Sequence, residues 1–309
     1  MNRRILKVFA LSLLMIGTVQ MQAQRPTSKE EIQEQKIQQL IKKMTLQEKV
    51  GLLHGNSKFY VSGIKRLGIP EWALSDGPHG VRAEMNRHDW NYAGWTNDSS
   101  TCFPPGTALA ASWNPNLAYE RGLVLGEEAR YRKKDVLLGP GINIIRTPLC
   151  GRNFEYLSED PFLISAMAVP YIKALQSKDV AASVKHYLAN NQEDHRTTVD
   201  VTMSERALRE IYLPGFKAAV TEGGSYTVMA AYNKFRGDWC SENEYLDREI
   251  LRKELGFNGV LMSDWGGTHS TVKAALAGLD LEMGTDTKDY NEWYFANPLI
   301  KAVQEGKVH

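Results

Sequence analysis

Short, nearly unbroken apolar runs alternate along this chain with longer stretches of helical period, and that alternation constrains the fold more than any other feature. The runs are WALSD (72–76), DVLLGPGINIIR (135–146), VAASVKHYL (180–188), YTVMAAYN (226–233), GVLMSDW (259–265) and a short DLEM (280–283). Between them lie 114–134, 161–177, 204–223, 246–256 and 271–278, where apolar residues recur at three- and four-residue spacing. A strand that is apolar throughout must be covered on both faces. Such strands alternating with amphipathic helices predict βαβ units around a parallel sheet. About eight units close into a (β/α)₈ barrel of about 250 residues, and a chain of 309 residues can supply one. The alternative, a doubly wound open sheet, lacks its glycine fingerprint, because Gly139-Pro140-Gly141 does not continue as GxGxxG. We therefore expect an α/β fold, a TIM-type (β/α)₈ barrel of parallel strands in a single domain.

The ends of the chain read differently. Residues 1–23 carry Arg3, Arg4 and Lys7, then an apolar stretch from Val8 to Val19 and a small residue at Ala23. That is the pattern of a cleaved export leader, too short to span a bilayer comfortably. We expect a helical extension over 24–44, with the barrel over 45–309 in an exported, periplasmic or secreted protein. Thr45 followed by Glu48 predicts a capping box. The net charge of +1 gives no reason to expect nucleic acid or an anionic membrane as partner. Three cysteines, Cys102, Cys150 and Cys240, leave at least one unpaired within the chain, and without a CxxC pair they give no support to a zinc site. Asn97-Asp98-Ser99 fits a glycosylation sequon.

Polar residues gather where the apolar runs end. WALSD stops at Asp76, with Arg82 beyond it; 135–146 stops at Arg146, followed by Arg152, Asn153 and Glu155. The 180–188 run delivers Lys185 and His186, and its following loop Asn191, Glu193 and Arg196. The last two runs end at Tyr232 and Asn233, and at Asp264 and Trp265. In a TIM barrel all these ends face one mouth, where active sites sit. Five successive strands ending this way point to a ligand pocket rather than surface decoration. Cations around a carboxylate keep it ionised and lower its pKa, so Asp264 is expected to be charged. An oriented aspartate can attack the anomeric carbon of a sugar. Asp76, the arginines and the Lys–His pair suit hydroxyl groups, and Trp265 suits a pyranose face.

Other chemistries fit these residues less well. Lys185 forms a Schiff base only in a pocket dry enough to deprotonate it, and neighbouring carboxylates oppose that. His186 and His195 stand nine residues apart, a spacing that matches no common metal motif. His186 is best read as a hydrogen-bonding histidine.

Taken together, the strings resemble one family. LSDGPHGVR (74–82), TCFPPGTALAASWN (101–114), GPGINIIRTPLCGRNFEYLSEDP (139–161), KHYLANNQEDHR (185–196), MSERALREIYLPGF (203–216), MAAYNKFRG (229–237) and GVLMSDWGGTHS (259–270) follow in order over 40–309. The set is similar to the N-terminal barrel domain of glycoside hydrolase family 3, in particular its β-glucosidases. The resemblance implies that Asp264 is the nucleophile of a retaining, exo-acting β-glucosidase working through a covalent glycosyl-aspartate, without cofactor or metal. It implies that Asp76 and Arg82 bind the terminal sugar, as does Arg146 or Arg152, together with Lys185, His186 and Arg196. Tyr232 would orient the nucleophile and Trp265 would flank the cleft. The implied substrate is a β-glucoside or oligosaccharide, with a β-xyloside as the same-family alternative.

One part of the pattern is missing. In the β-glucosidase branch the acid/base glutamate belongs to an αβα-sandwich domain that follows the barrel, whereas this sequence ends at AVQEGKVH. The other branch carries its acid/base histidine in a KHFPGHG-like loop, and KHYLANNQEDHR does not match it. Glu155, Glu193 and Glu282 remain near the mouth with nothing to single one out. The expectation is a truncated, weakly active chain, or a non-catalytic sugar-binding remnant.

Overall fold

A computed structural model describes residues 28–95, 98–284 and 289–309. The leader at 1–23 and Asn97 of the sequon lie outside the described residues. The chain divides into two compact units between Met44 and Thr45. In the first, Ser28–Lys43 is a helix with Lys42 and Lys43 in its last turn, where cations complement the helix dipole. The second begins with the expected capping box: Thr45 Oγ1 accepts from Glu48 N, and Glu48 Oε2 accepts from Thr45 N at 2.8 Å.

The strands of the second unit are β1 (Tyr60–Val61), β2 (Trp72–Asp76), β3 (Val136–Leu138), β4 (Ala181–Tyr187), β5 (Asp200–Val201), β6 (Thr227–Ala230), β7 (Lys234–Phe235), β8 (Asp238–Trp239) and β9 (Val260–Met262). The main sheet runs β1-β2-β3-β4-β6-β9, and β5-β7-β8 form a small separate sheet. Single bridges complete the ring, Met262 to Leu281, Glu282 to His54 and Gly55 to Val61. The fold is thus the expected (β/α)₈-type barrel. One stave departs from the parallel rule: β1 is antiparallel to β2 and to Gly55. Parallel neighbours need a crossover of about a dozen residues or more, and only four residues separate Gly55 from Tyr60.

Two predicted strands are shorter than their apolar runs. The 135–146 run keeps ladder pairing only to Leu138, because Pro140 has no N–H to donate. Beyond it the chain still follows β4, with Lys185 N bonded to Pro140 O and Ile142 N to Lys185 O. The 280–283 run contributes only the bridges that close the ring. The helices Pro115–Tyr131 and Pro161–Gln176 each start with Pro after a capping side chain, Asn114 and Asp160 respectively. They pack on each other and cover β3 and β4.

The continuous apolar runs resolve into two buried environments on opposite faces of each strand. Leu137, Ala182, Val184, Val228, Ala230 and Leu261 face the helices. Leu74, Val136, Leu138, Met229 and Met262 fill the barrel interior. Strand side chains alternate, so the interior face of β2 continues from Leu74 to Asp76, and that of β9 from Met262 to Asp264. Each carboxylate thus reaches the C-terminal mouth as the next inward position after a core side chain.

Candidate active site

A cavity of about 170 Å³ opens at that mouth. Asp76, Arg82, Arg152, Lys185, His186, Arg196, Tyr232, Asp264 and Trp265 all line it. Arg146 does not: it is exposed, outside the cavity. Of the two arginines offered by the segment after β3, geometry brings Arg152 to the site and excludes Arg146. His195, exposed beside Asp194, is also outside.

Lys185 and His186 are adjacent, yet both line the cavity, which simple alternation forbids. The pairing of β4 with β6 slips between Lys185 and Tyr187, and such an irregularity re-aims a side chain. Lys185 Nζ donates to Asp76 Oδ1 at 2.8 Å and lies 3.0 Å from Glu155 Oε1. Burial works against its charge, but Asp76 and Glu155 outweigh it and raise the Lys185 pKa. A neutral amine for imine formation is therefore opposed by the site itself. Glu155 also accepts from Arg152 Nε at 2.8 Å. Burial pushes its pKa up, but the Lys185 ammonium and the Arg152 guanidinium hold it well below the usual carboxylate range.

His186 Nε2 faces Arg152 Nη2 at 2.9 Å, while Nδ1 faces Asn143 Oδ1 at 3.3 Å and the Tyr156 hydroxyl at 3.2 Å. A guanidinium only donates, so Nε2 must accept and the proton belongs on Nδ1. Burial, then the Arg152 charge, keeps the His186 pKa well below its ordinary value. The 3.7 Å approach of Nε2 to Asp264 Oδ2 is consequently not an ion pair. Asn143, which also accepts from His186 N at 2.8 Å, escaped the sequence reading. The lone polar residue within the run GINII was its signal.

Asp264 is 8% exposed. Its Oδ1 accepts from Trp265 N at 2.8 Å, and its Oδ2 has no hydrogen-bond partner among the described residues. The expectation of a lowered pKa is overturned here. Burial raises it, and the pull of Arg152, the Trp265 amide and Lys185 does not restore it. The Tyr232 hydroxyl donates to Trp265 O at 3.0 Å beside that carboxylate, and the Arg196 guanidinium lies 4.5 Å from the centre of the Tyr232 ring.

Opposite the polar floor is a wall that the strand ends did not announce. Phe59 and Trp90 line the cavity with Trp265, at ring-centre distances of 5.9 Å (Phe59–Trp90) and 5.2 Å (Phe59–Trp265). Both newcomers lie in loops, where no periodicity marks a residue as functional. Of the carboxylates left open by the sequence, Glu155 is tied to Lys185 and Arg152. Glu193 accepts from Arg196 at 2.7 Å. Glu282 lies outside the cavity and accepts from Phe295 N at 2.6 Å.

Comparison with known proteins gives this geometry its context. The model of the glycosyl hydrolase family 3 N-terminal domain matches residues 12–309. The chain belongs to glycosyl hydrolase family 3. It is 50% identical to beta-glucosidase BoGH3A of Bacteroides ovatus over 321 residues, covering 98% of this chain and 43% of that protein. It is 46% identical to thermostable beta-glucosidase B of Acetivibrio thermocellus, covering 88% of this chain and 35% of that one. Among solved family 3 structures, beta-glucosidase 3B from Thermotoga neapolitana in complex with glucose superposes with a TM-score of 0.82 at 40% identity, over 89% of this chain and 40% of that one. The chain thus spans less than half the length of these family 3 relatives.

Proposed function

We propose that this family 3 barrel carries the nucleophile and terminal-sugar subsite of a retaining, exo-acting β-glucosidase. The observation that carries the reading is the buried Asp264 Oδ2, unpartnered in a cavity whose other polar groups suit sugar hydroxyls. Oδ2 attacks the anomeric carbon, forming a glycosyl ester as the bond to the aglycone oxygen breaks. The leaving oxygen takes a proton from an acid, or departs unaided if it is a stable anion. Water then loses a proton to the conjugate base, attacks the same carbon and regenerates the carboxylate. Asp76 and Lys185 bind hydroxyls on one side, His186 and Arg152 on the other, with Arg82 and Arg196 at the rim. Tyr232 orients Asp264, and Trp265 stacks on the sugar. The relatives named as β-glucosidases support glucose over xylose.

The acid/base comes from outside the described residues. Glu155 and Glu193 are engaged in ion pairs, and Glu282 is outside the cavity. The described residues accordingly support reaction with activated leaving groups, which need no acid, over alkyl glucosides and disaccharides. The leader composition supports export from the cytoplasm.

The test is intact-mass spectrometry of the 309-residue chain after incubation with 2-deoxy-2-fluoro-β-D-glucosyl fluoride, followed by peptide mapping. One fluoroglucosyl adduct on Asp264, absent from Asp264→Asn, is expected. A folded chain that takes no label, or takes it elsewhere, overturns the assignment.

A further inference from the structure

Two residues outside the cavity grip the loop that carries Asp264, and the proposed chemistry uses neither. The loop leaves β9 at Ser263 and leads to the helix Val272–Ala277. Its first limb is tied to the next stave: Ser263 N donates to Leu281 O at 2.9 Å and Gly266 N to Met283 O at 2.8 Å. The second limb is held by side chains instead. Ser241 Oγ donates to Gly267 O at 2.5 Å. Glu242 accepts the His269 N–H on one carboxylate oxygen at 2.6 Å and the Ser270 hydroxyl on the other at 2.9 Å. Glu242 is 3% exposed, so a buried carboxylate has both oxygens committed to one loop. Hydrogen bonds to a charged acceptor are about twice as strong as neutral ones.

The gripping turn is itself anchored. Glu242 N donates to Trp239 O at 2.8 Å, Cys240 N to Asn233 O at 3.0 Å, and Leu246 N to Asn243 Oδ1 at 3.0 Å. The two limbs of the nucleophile loop are joined by Gly267 N donating to Asp264 O at 2.8 Å. A shift at Gly267–Ser270 is therefore felt at the Asp264 backbone.

We infer that Glu242 is a positioning residue for the nucleophile: with Ser241 it fixes the second limb of the loop and so holds Asp264 Oδ2 in its attacking orientation. The inference rests on the proposed role of Asp264. Glu242 does not line the cavity, so its removal leaves sugar affinity alone and slows bond formation.

The test is the saturation kinetics of trapping by 2-deoxy-2-fluoro-β-D-glucosyl fluoride, read by mass spectrometry for wild type, Glu242→Ala, Glu242→Gln and Ser270→Ala. A misplacement near 1 Å can cost up to about a hundredfold. Glu242→Ala is expected to lower the limiting trapping rate at least tenfold on that scale, with half-saturation little changed. Glu242→Gln, whose amide oxygen still accepts the His269 N–H, recovers most of the rate. Ser270→Ala, which removes one of the two donors, falls between and decides the matter if Glu242→Ala does not fold. Wild-type rates in Glu242→Ala or, failing that variant, in Ser270→Ala overturn the inference. So does a loss expressed only in half-saturation. A wild-type chain that takes no label overturns the underlying assignment of Asp264 instead.

Discussion

The Lys185 ammonium reaches over the end of β3 to bond Asp76 Oδ1 at 2.8 Å, tying the tip of β4 to the tip of β2. The same ammonium lies 3.0 Å from Glu155, whose side chain is 8% exposed. One cation thus compensates two carboxylates carried by different elements.

Removing that cation leaves the buried Glu155 with Arg152 as its one remaining partner cation among the described residues. Breaking a buried pair by deleting one partner costs about 3–5 kcal/mol. Lys185→Met is expected to lose about 3 kcal/mol, measured by urea denaturation at pH 7. Combining it with Glu155→Gln should cost less than the two single losses added together, because both changes break the same ion pair. A double variant that loses the full sum refutes the coupling.

Asp264 predicts the opposite effect. Its carboxyl is harder to ionise folded than unfolded, because burial raises its pKa. The contribution to stability is fully present below the unfolded pKa and declines as pH rises through the folded one. Asp264→Asn keeps an acceptor for the Trp265 amide and removes the buried charge. It should raise the unfolding free energy at pH 7 by about 1 kcal/mol, the usual size of such function–stability exchanges. The gain should shrink toward pH 4, which paired denaturation curves at the two pH values would register.

Glu282 carries a further pH dependence away from the cavity. Burial pushes its pKa up to about 7, against the pull of the Phe295 and Tyr294 backbone amides. Stability from this group is present below about pH 4.5 and is lost as pH rises through 7. The span corresponds to roughly 3 kcal/mol. Glu282→Gln should flatten the stability profile over that window, and a variant that tracks wild type across it would refute the assignment.

Trp90 predicts a substrate effect. It is 43% exposed, lines the cavity and has the Lys58 ammonium 4.8 Å from its ring centre. Ring contacts of this kind contribute about 0.5–1.5 kcal/mol beyond buried area. Trp90→Ala should weaken an aryl β-glucoside about three- to tenfold, while glucosyl fluoride, with no aglycone ring to stack, is unaffected. Equal losses for both would place Trp90 in support of the sugar subsite instead.

Most of the residues that line the cavity were legible in the sequence for a specific reason. Asp76 and Asp264 interrupt apolar runs at the inward parity, so the same alternation that predicts the strand also aims the residue. Lys185 and His186 were legible as chemistry but not as geometry, since no pattern announces the ladder slip that turns both inward. Arg146 and Arg152 were indistinguishable because the chain between them follows no period. Phe59 and Trp90 were missed for the same reason: loop residues carry no alternation to read. The Asp264 pKa was misjudged because a sequence displays neighbouring charges but not the water they displace.

The inward parity of the staves also sets what kinds of change this barrel can absorb. Adding or deleting one residue within β2 or β9, upstream of the carboxylate, would turn Asp76 or Asp264 toward the helices and bring an apolar neighbour to the mouth. The loops beyond the other strand tips carry no such parity, so, the loop that follows Asp264 apart, their lengths can drift while Asp76 and Asp264 stay aimed inward. Insertion in those loops can therefore reshape the cavity mouth, but the inward aim of the two carboxylates is locked to an even count.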